Sequence, residues 1–269
     1  MKDKVVIITG ASSGIGLSLA KELAQRGAIL SLAARNMEAL EAIAQELIQK
    51  GNRVIAVKTD VSNASDCLHL VRTTVKTFGK IDILINNAGV SMRASFKDVD
   101  LEVIKKVMDV NFWGTVYCTK FAYPYLLASN GSVVGISSVI GYVGLPGRTG
   151  YAASKFAMNG FLETLRTENL KTGLHVLIAA PGFTSSNVRK SALTAHGKPQ
   201  GETPRAEDKM MKPEVVAKHI IKAIEKRKNK LILTFFEGKL TVFVNKWFPS
   251  IVSRIAYKKM AKEPDSPLC

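Results

Sequence analysis

The chain has 269 residues, 46% of them hydrophobic, enough to bury one large core, so a single domain is expected. Its formal charge is +16, with 15 Lys and Arg against 7 Asp and Glu between 205 and 269; this excess reads equally as a solvated face or as an attractor of anionic lipid or phosphorylated ligands, and the lack of a recognition motif or aromatic-interleaved basic stripe argues against nucleic acid. Three scattered cysteines, Cys67, Cys118 and Cys269, and four dispersed histidines, His69, His175, His196 and His219, form no paired framework and no metal-ligand spacing, so a reducing compartment and no metal are expected.

Met1 to Lys4 run straight into an apolar stretch, leaving no room for an export leader, and a cytoplasmic location is expected. Short apolar runs then alternate with helical patterns: Val5 to Thr9, Ala28 to Ala34, Val54 to Val57, Ile83 to Asn86, Val133 to Ser137, Val176 to Ala180 and Leu231 to Phe235. Each of the first six is followed by a stretch of helical period, which predicts parallel strands joined by right-handed crossovers. The expected fold class is α/β, a doubly wound, seven-stranded parallel sheet with helices on both faces. Such sheets bind ligands outside the carboxyl ends of their strands.

The stretch from Phe183 to Lys212 lacks clear periodicity and is read as a substrate lid, with Val188, Leu193, Met210 and Met211 available to cover an apolar substrate. Pro213 suits the first turn of a helix to about Lys228, with Val216, Ile220 and Ile224 inward. The expected organisation is a catalytic domain over 1–236 and an apolar, basic extension over 237–269. In that extension Leu240, Phe243, Val244, Trp247, Phe248, Ile251 and Ile255 repeat at helical spacing among Lys246, Arg254, Lys258 and Lys259. Lys246 and Pro249 break it, so it is too short to span a membrane. Two readings stand open: packing on the domain or a second subunit, and lying in a membrane interface on the cytoplasmic face.

Two constellations carry chemistry. Thr9-Gly10-Ala11-Ser12-Ser13-Gly14-Ile15-Gly16 follows a predicted strand and opens a predicted helix, where glycines admit a pyrophosphate to backbone N–H groups at the positive end of the helix. After the second strand stands Ala34-Arg35-Asn36, with no carboxylate before Glu38; a guanidinium there suits a 2′-phosphate, so NADP is expected over NAD. Tyr151 and Lys155 are four apart on a helical pattern, which stacks their side chains. An ammonium beside the phenol would favour the phenolate and let Tyr151 work as acid and base near neutral pH.

With Asp60-Val61, Asn86-Asn87-Ala88-Gly89, Asn111, Ser138, Tyr151-x-x-x-Lys155 and Pro181-Gly182 added in order, the chain resembles the short-chain dehydrogenase/reductase family over at least residues 4 to 186, and so a Rossmann fold. The resemblance implies that Asp60 and Val61 meet the adenine, that Asn87, Ala88 and Gly89 line the nucleoside half of the cofactor, and that Lys155 binds the nicotinamide ribose. It implies that Asn111 holds a water linking Lys155 to solvent, and that the segment after Pro181 and Gly182 meets the nicotinamide amide through Thr184 or Ser186. The thirteen-residue step to Tyr151 selects Ser138 over Ser137 as the hydroxyl that holds a carbonyl oxygen during hydride transfer.

More loosely, Ala33 to Asn36, the Tyr-Ala-Ala-Ser-Lys run and the apolar carboxyl extension resemble the branch of reductases acting on lipid-like or steroid ketones at membranes. The expectation is an NADPH-dependent oxidoreductase interconverting a carbonyl and a secondary alcohol on an apolar substrate, as a homodimer or homotetramer packed through helices beginning near Leu101 and Tyr151. The competing reading is an NAD(P)-binding regulatory or scaffold protein with little turnover.

Overall fold

A computed structural model describes residues 1–185, 188–201, 210–263 and 266–268. Seven parallel strands form one sheet in the order β3-β2-β1-β4-β5-β6-β7: β1 Val5–Thr9, β2 Ile29–Ala34, β3 Val54–Lys58, β4 Ile83–Asn86, β5 Ser132–Ile136, β6 His175–Ala180 and β7 Lys230–Ile232. Every residue of β1, β2, β4, β5 and β6 is buried, which is why these runs read as continuously apolar rather than alternating.

The helices are α1 Gly14–Gln25, α2 Met37–Gln49, α3 Ala64–Phe78, α4 Leu101–Met108, α5 Gly114–Ala128, α6 Thr149–Glu168, α7 Pro213–Glu225, α8 Thr241–Trp247 and α9 Pro249–Ala261. Leu19 and Leu23 of α1, Leu40 of α2, and Val216 and Ile220 of α7 pack with Ile8 and Leu30 on one face of the sheet. Leu70 of α3, Cys118 and Leu126 of α5, and Met158 and Leu162 of α6 pack with Ile7 and Leu84 on the other. Alternate strand residues thus serve opposite layers, as the pleat requires.

The last strand is shorter than expected. It ends at Ile232, and Phe235 belongs to a π-helical turn over Phe235–Leu240, because Thr234 takes a φ of +66° that no strand continues through. Helix α7 stops at Glu225 rather than near Lys228, where Arg227 adopts a φ of +45°. Between β6 and α7, the described residues of the expected lid are held by Ser185 N–H donating to Met211 O and Met211 N–H donating to Phe183 O. Leu193 is buried with Met92, Val99, Val103 and Val107; part of the lid is therefore core. Ser186, the alternative to Thr184, lies outside the described residues.

Helices α4 and α5 are one rod interrupted at Asp109–Trp113 by a π-helical turn. Such a bulge re-aims side chains and often sits at functional sites. Asn111 is at its centre.

Candidate active site

The strand order reverses between β1 and β4, and the chain there opens a crevice at the strand ends. Gly10 and Gly14 have φ of +66° and +55°, conformations that favour glycine. A Cβ on Gly16 would lie 2.2 Å from Gly10 O, so the helix can meet the turn only if that residue is glycine. The loop after β4 braces it: Asn87 Nδ2 donates to Thr9 O at 2.9 Å and Gly10 O at 3.1 Å. Asn87 and Ala88 each donate a backbone N–H to Thr9 Oγ1 at 3.0 Å.

Helix α1 begins with Ser13 in the N-cap position, but its side chain makes no capping bond and no acid stands in the first turn. Its leading N–H groups and dipole therefore face the cleft without an internal anion, which fits a pyrophosphate. A Cβ on Gly89 would come within 3.2 Å of Asn111 Oδ1 and 3.7 Å of Lys155 Nζ, so a side chain there would crowd the Asn111 amide. The residues present fit a dinucleotide.

At the far end Arg35 is exposed at the tip of β2 and lines the cleft. Its neighbour Asn36 is committed to the α2 cap, accepting from Ala39 N–H at 3.0 Å. Asp60 takes the Ser62 N–H and hydroxyl on Oδ1 at 3.0 and 2.7 Å, which fixes its carboxylate beside Val61. Gly114 passes so close that a Cβ would lie 2.8 Å from Val61 Cγ2.

The reactive end is built from β5 and α6. Ser138 follows β5 and caps the 3-10 turn Val139–Gly141, with Oγ accepting from Ile140 N–H at 3.3 Å. Tyr151 stands in the first turn of α6 and lines the same cleft as Ser138. Lys155 is buried, and its Nζ donates to Ile136 O at 2.8 Å.

That bond corrects the expectation of a phenolate made by a neighbouring ammonium. The amine is drawn toward the end of β5 and lies 5.8 Å from the centre of the tyrosine ring. Burial pushes the Tyr151 phenol above its ordinary value, only partly offset by the Arg148 charge and the nearby Ser138 hydroxyl. Burial lowers Lys155 to about 8. Tyr151 thus stands as a protonated donor.

Asn111 turns its side chain inward. Oδ1 accepts from Val90 N–H at 2.8 Å, while Nδ2 donates to Val90 O and Ser154 Oγ at 2.9 Å each; Ser154 Oγ in turn donates to Tyr151 O at 2.8 Å. The amide pins the β4 loop to the start of α6, and the Asn111 backbone carbonyl accepts from Thr115 Oγ1 at 2.9 Å.

Thr184 is buried and donates to Gly182 O at 3.2 Å. With Pro181, Gly182, Ser12 and Ile15 it lines the same cleft, of about 930 Å³, as the other anticipated residues. Of the sites expected from sequence, only Gly16 and Asn111 stand behind the cleft wall. The lining residues missed include Arg148, Met260 and Glu263. Arg148 carries a readable signal, a cation three residues before Tyr151 at a helix start; it also donates to Ser91 Oγ at 2.9 Å and Met92 O at 2.5 Å. Met260 and Glu263 arrive from the far end of the chain, and no local pattern announces them.

A family model described as short chain dehydrogenase matches residues 4–196. The chain is 38% identical over 247 residues to 11-beta-hydroxysteroid dehydrogenase A of Sesamum indicum, covering 91% of this chain and 69% of that one. It is 46% identical over 187 residues to 11-beta-hydroxysteroid dehydrogenase-like 3 of Arabidopsis thaliana, 69% of this chain and 60% of that one. Dehydrogenase/reductase SDR family member 7B of Mus musculus is 32% identical over 271 residues, 99% of this chain and 84% of that one. Among solved structures, a short-chain dehydrogenase/reductase from Burkholderia phymatum in complex with NAD superposes with a TM-score of 0.83 at 26% identity, covering 94% and 96% of the two chains. An alcohol dehydrogenase from Thermococcus sibiricus complexed with 5-hydroxy-NADP gives 0.73 at 26% identity, covering 86% and 94%.

Proposed function

The chain belongs to the short-chain dehydrogenase family, an oxidoreductase family that uses nicotinamide dinucleotides, and from that premise we propose that it interconverts a carbonyl and a secondary alcohol on an apolar substrate with NADPH. The observation that carries this reading is that Ser138, Tyr151 and the Lys155 amine line one cleft with the uncapped start of α1. Residues 1–236 act as the catalytic domain and 237–269 as an extension that reaches the cleft.

The cofactor would be held by the N–H groups opening α1, by Asp60 and Val61 at the adenine, by Asn87 to Gly89 along the nucleoside, and by Thr184 near the amide. When bound it supplies or accepts the hydride. In the reducing direction Ser138 donates a hydrogen bond to the carbonyl oxygen and Tyr151 gives that oxygen its hydroxyl proton, yielding the alcohol. Lys155 would hold the ribose hydroxyls of the cofactor, and Asn111 keeps the β4 loop and α6 in register. In oxidation Tyr151 takes the proton back.

NADP preference rests on Arg35. It is exposed at the cleft rim with no partner among the described residues, free to meet a 2′-phosphate, and no carboxylate stands beside it to take ribose hydroxyls. Exposed aromatic and basic residues of the extension support contact with the cytoplasmic face of a membrane, and exposed Leu101, Trp113 and Phe156 support a homo-oligomer.

The test is NADPH oxidation over a panel of apolar ketones and aldehydes. Tyr151→Phe is expected to lose at least about a hundredfold in kcat/KM while NADPH still binds, by nicotinamide fluorescence. Arg35→Asp is expected to turn preference toward NADH. Full activity in Tyr151→Phe would overturn the mechanism, and a silent wild type that binds NADPH tightly would favour the regulatory binder.

A further inference from the structure

Helix α9 lies beyond the residues matched by the family model, which end at 196, and it adds a wall of its own. Val252, Ala256 and Met260 fall at steps of four, along one side of the helix. With Val139, Val143 and Leu145 from the segment after β5 they line an apolar slot of about 170 Å³. Ser138, Phe183 and Met260 line both slot and catalytic cleft, so the slot leaves the cleft beside the Ser138 hydroxyl. The exposed, charged Glu237 and Lys259 also line it, marking where it meets water.

An unfilled apolar cavity forfeits dispersion contacts on its walls and costs stability, so a helix free to settle would close it. Helix α9 is not free to settle. Two residues beyond its end, Glu263 Oε2 accepts from Arg93 Nη2 at 3.3 Å, with both side chains nearly buried at 11% and 7% exposure. The pair ties the end of the extension to the loop after β4, and Val252 and Met260, at 8% and 6% exposure, anchor the helix on either side of the small Ala256.

We propose that this slot, resting on the oxidoreductase reading above, receives the apolar body of the substrate as a linear hydrocarbon chain, with Ala256 setting how much chain it admits. Compact drug-sized ligands occupy pockets of roughly 300–1,000 Å³, and a slot below that range fits a single chain better than a fused-ring skeleton. The carbonyl then sits between Ser138 and Tyr151, and each methylene entering the slot leaves water, so binding strengthens with chain length. The walls discriminate by length because the remote part of the substrate contributes binding that holds the reacting carbonyl in place.

The experiment compares decanal with propanal, followed by NADPH oxidation, and measures decanol binding to the NADP-loaded protein by calorimetry. In Ala256→Trp, and in the milder Ala256→Leu, the decanal-to-propanal ratio of kcat/KM is expected to fall about tenfold or more. Decanol binding is expected to weaken by a similar factor, with NADPH affinity retained as the check on folding. An unchanged ratio together with unchanged decanol binding in both variants overturns the slot, as does an equal loss for both aldehydes. A wild type that turns over neither aldehyde but loses decanol binding in both variants supports the slot and counts against the redox reading instead.

Discussion

Lys155 keeps its amine where little water reaches it, at 3% exposure with one backbone carbonyl for company. Desolvation penalises the charged form and lowers its value from 10.5 to about 8. Below about 8 the lysine is charged in both folded and unfolded chains and the penalty is complete; between about 8 and 10.5 the unfolded chain holds more protons, so stability rises with pH. In denaturant titrations of the cofactor-free protein, the stability of wild type relative to Lys155→Met is expected to climb across that window. Loss of the bond to Ile136 O adds an offset that does not depend on this titration, and a difference flat in pH would show that the amine is not desolvated. The same burial governs chemistry: with its phenol pushed up, Tyr151 rests protonated, ready for the reducing direction.

At the scale of elements, patterns that reflect burial on both sheet faces were legible, which is why the strand positions and the parallel order could be read from β1 through β6. Caps and special conformations were legible where one residue type is forced, as at Gly10, Gly14 and Gly16. The end of β7 was not, because Leu231 to Phe235 has strand-like composition and only the positive φ at Thr234 breaks it. The π-helical turn at Asn111 was hidden too: one extra residue in a turn barely disturbs helical spacing across α4 and α5. Spacing placed Tyr151 and Lys155 on neighbouring turns, but spacing carries no information about where a long side chain ends. The carbonyl of Ile136, supplied by a different element, decided that. Ser138 and Ser137 were separable only through the family's step to Tyr151. In the fold both line the cleft, but Ser137 Oγ is buried with no hydrogen-bond partner among the described residues, while Ser138 Oγ accepts from Ile140 N–H. Contacts made by α9 and Glu263 depend on distant segments meeting, and nothing local encodes them.

At the scale of the molecule, much of the exposed apolar surface of the described residues falls in two places. Leu101, Trp113 and Phe156 belong to the rod of α4 and α5 and to α6, where Trp113 stacks on Tyr117 with ring centres 5.7 Å apart. Large side chains left on a helical face suit a second copy of the chain. Sedimentation equilibrium is expected to give a dimer or tetramer that Trp113→Lys weakens, and a wild type that stays monomeric at micromolar concentration would remove this face from the account.

The other surface is the extension. Phe235, Phe236, Phe243, Trp247, Phe248 and Ile251 are each more than half exposed, and Lys239, Lys246, Arg254 and Lys258 stand exposed among them. Among the described residues no helix is long and apolar enough to cross a membrane, so these rings suit insertion to the depth of lipid headgroups, with the cations on anionic lipid. Each Lys or Arg near such a surface contributes about 1 kcal/mol, an attraction that salt screens. Co-sedimentation with phosphatidylserine vesicles is therefore expected to exceed that with phosphatidylcholine vesicles and to fall as salt rises. Trp247→Ser with Phe243→Ser is expected to weaken it at every salt concentration, because the rings contribute a term that salt leaves nearly untouched. Equal, salt-independent binding to both vesicle types would make the attraction purely apolar. No binding to either would leave the rings to a protein partner and detach the slot beside α9 from any lipid supply.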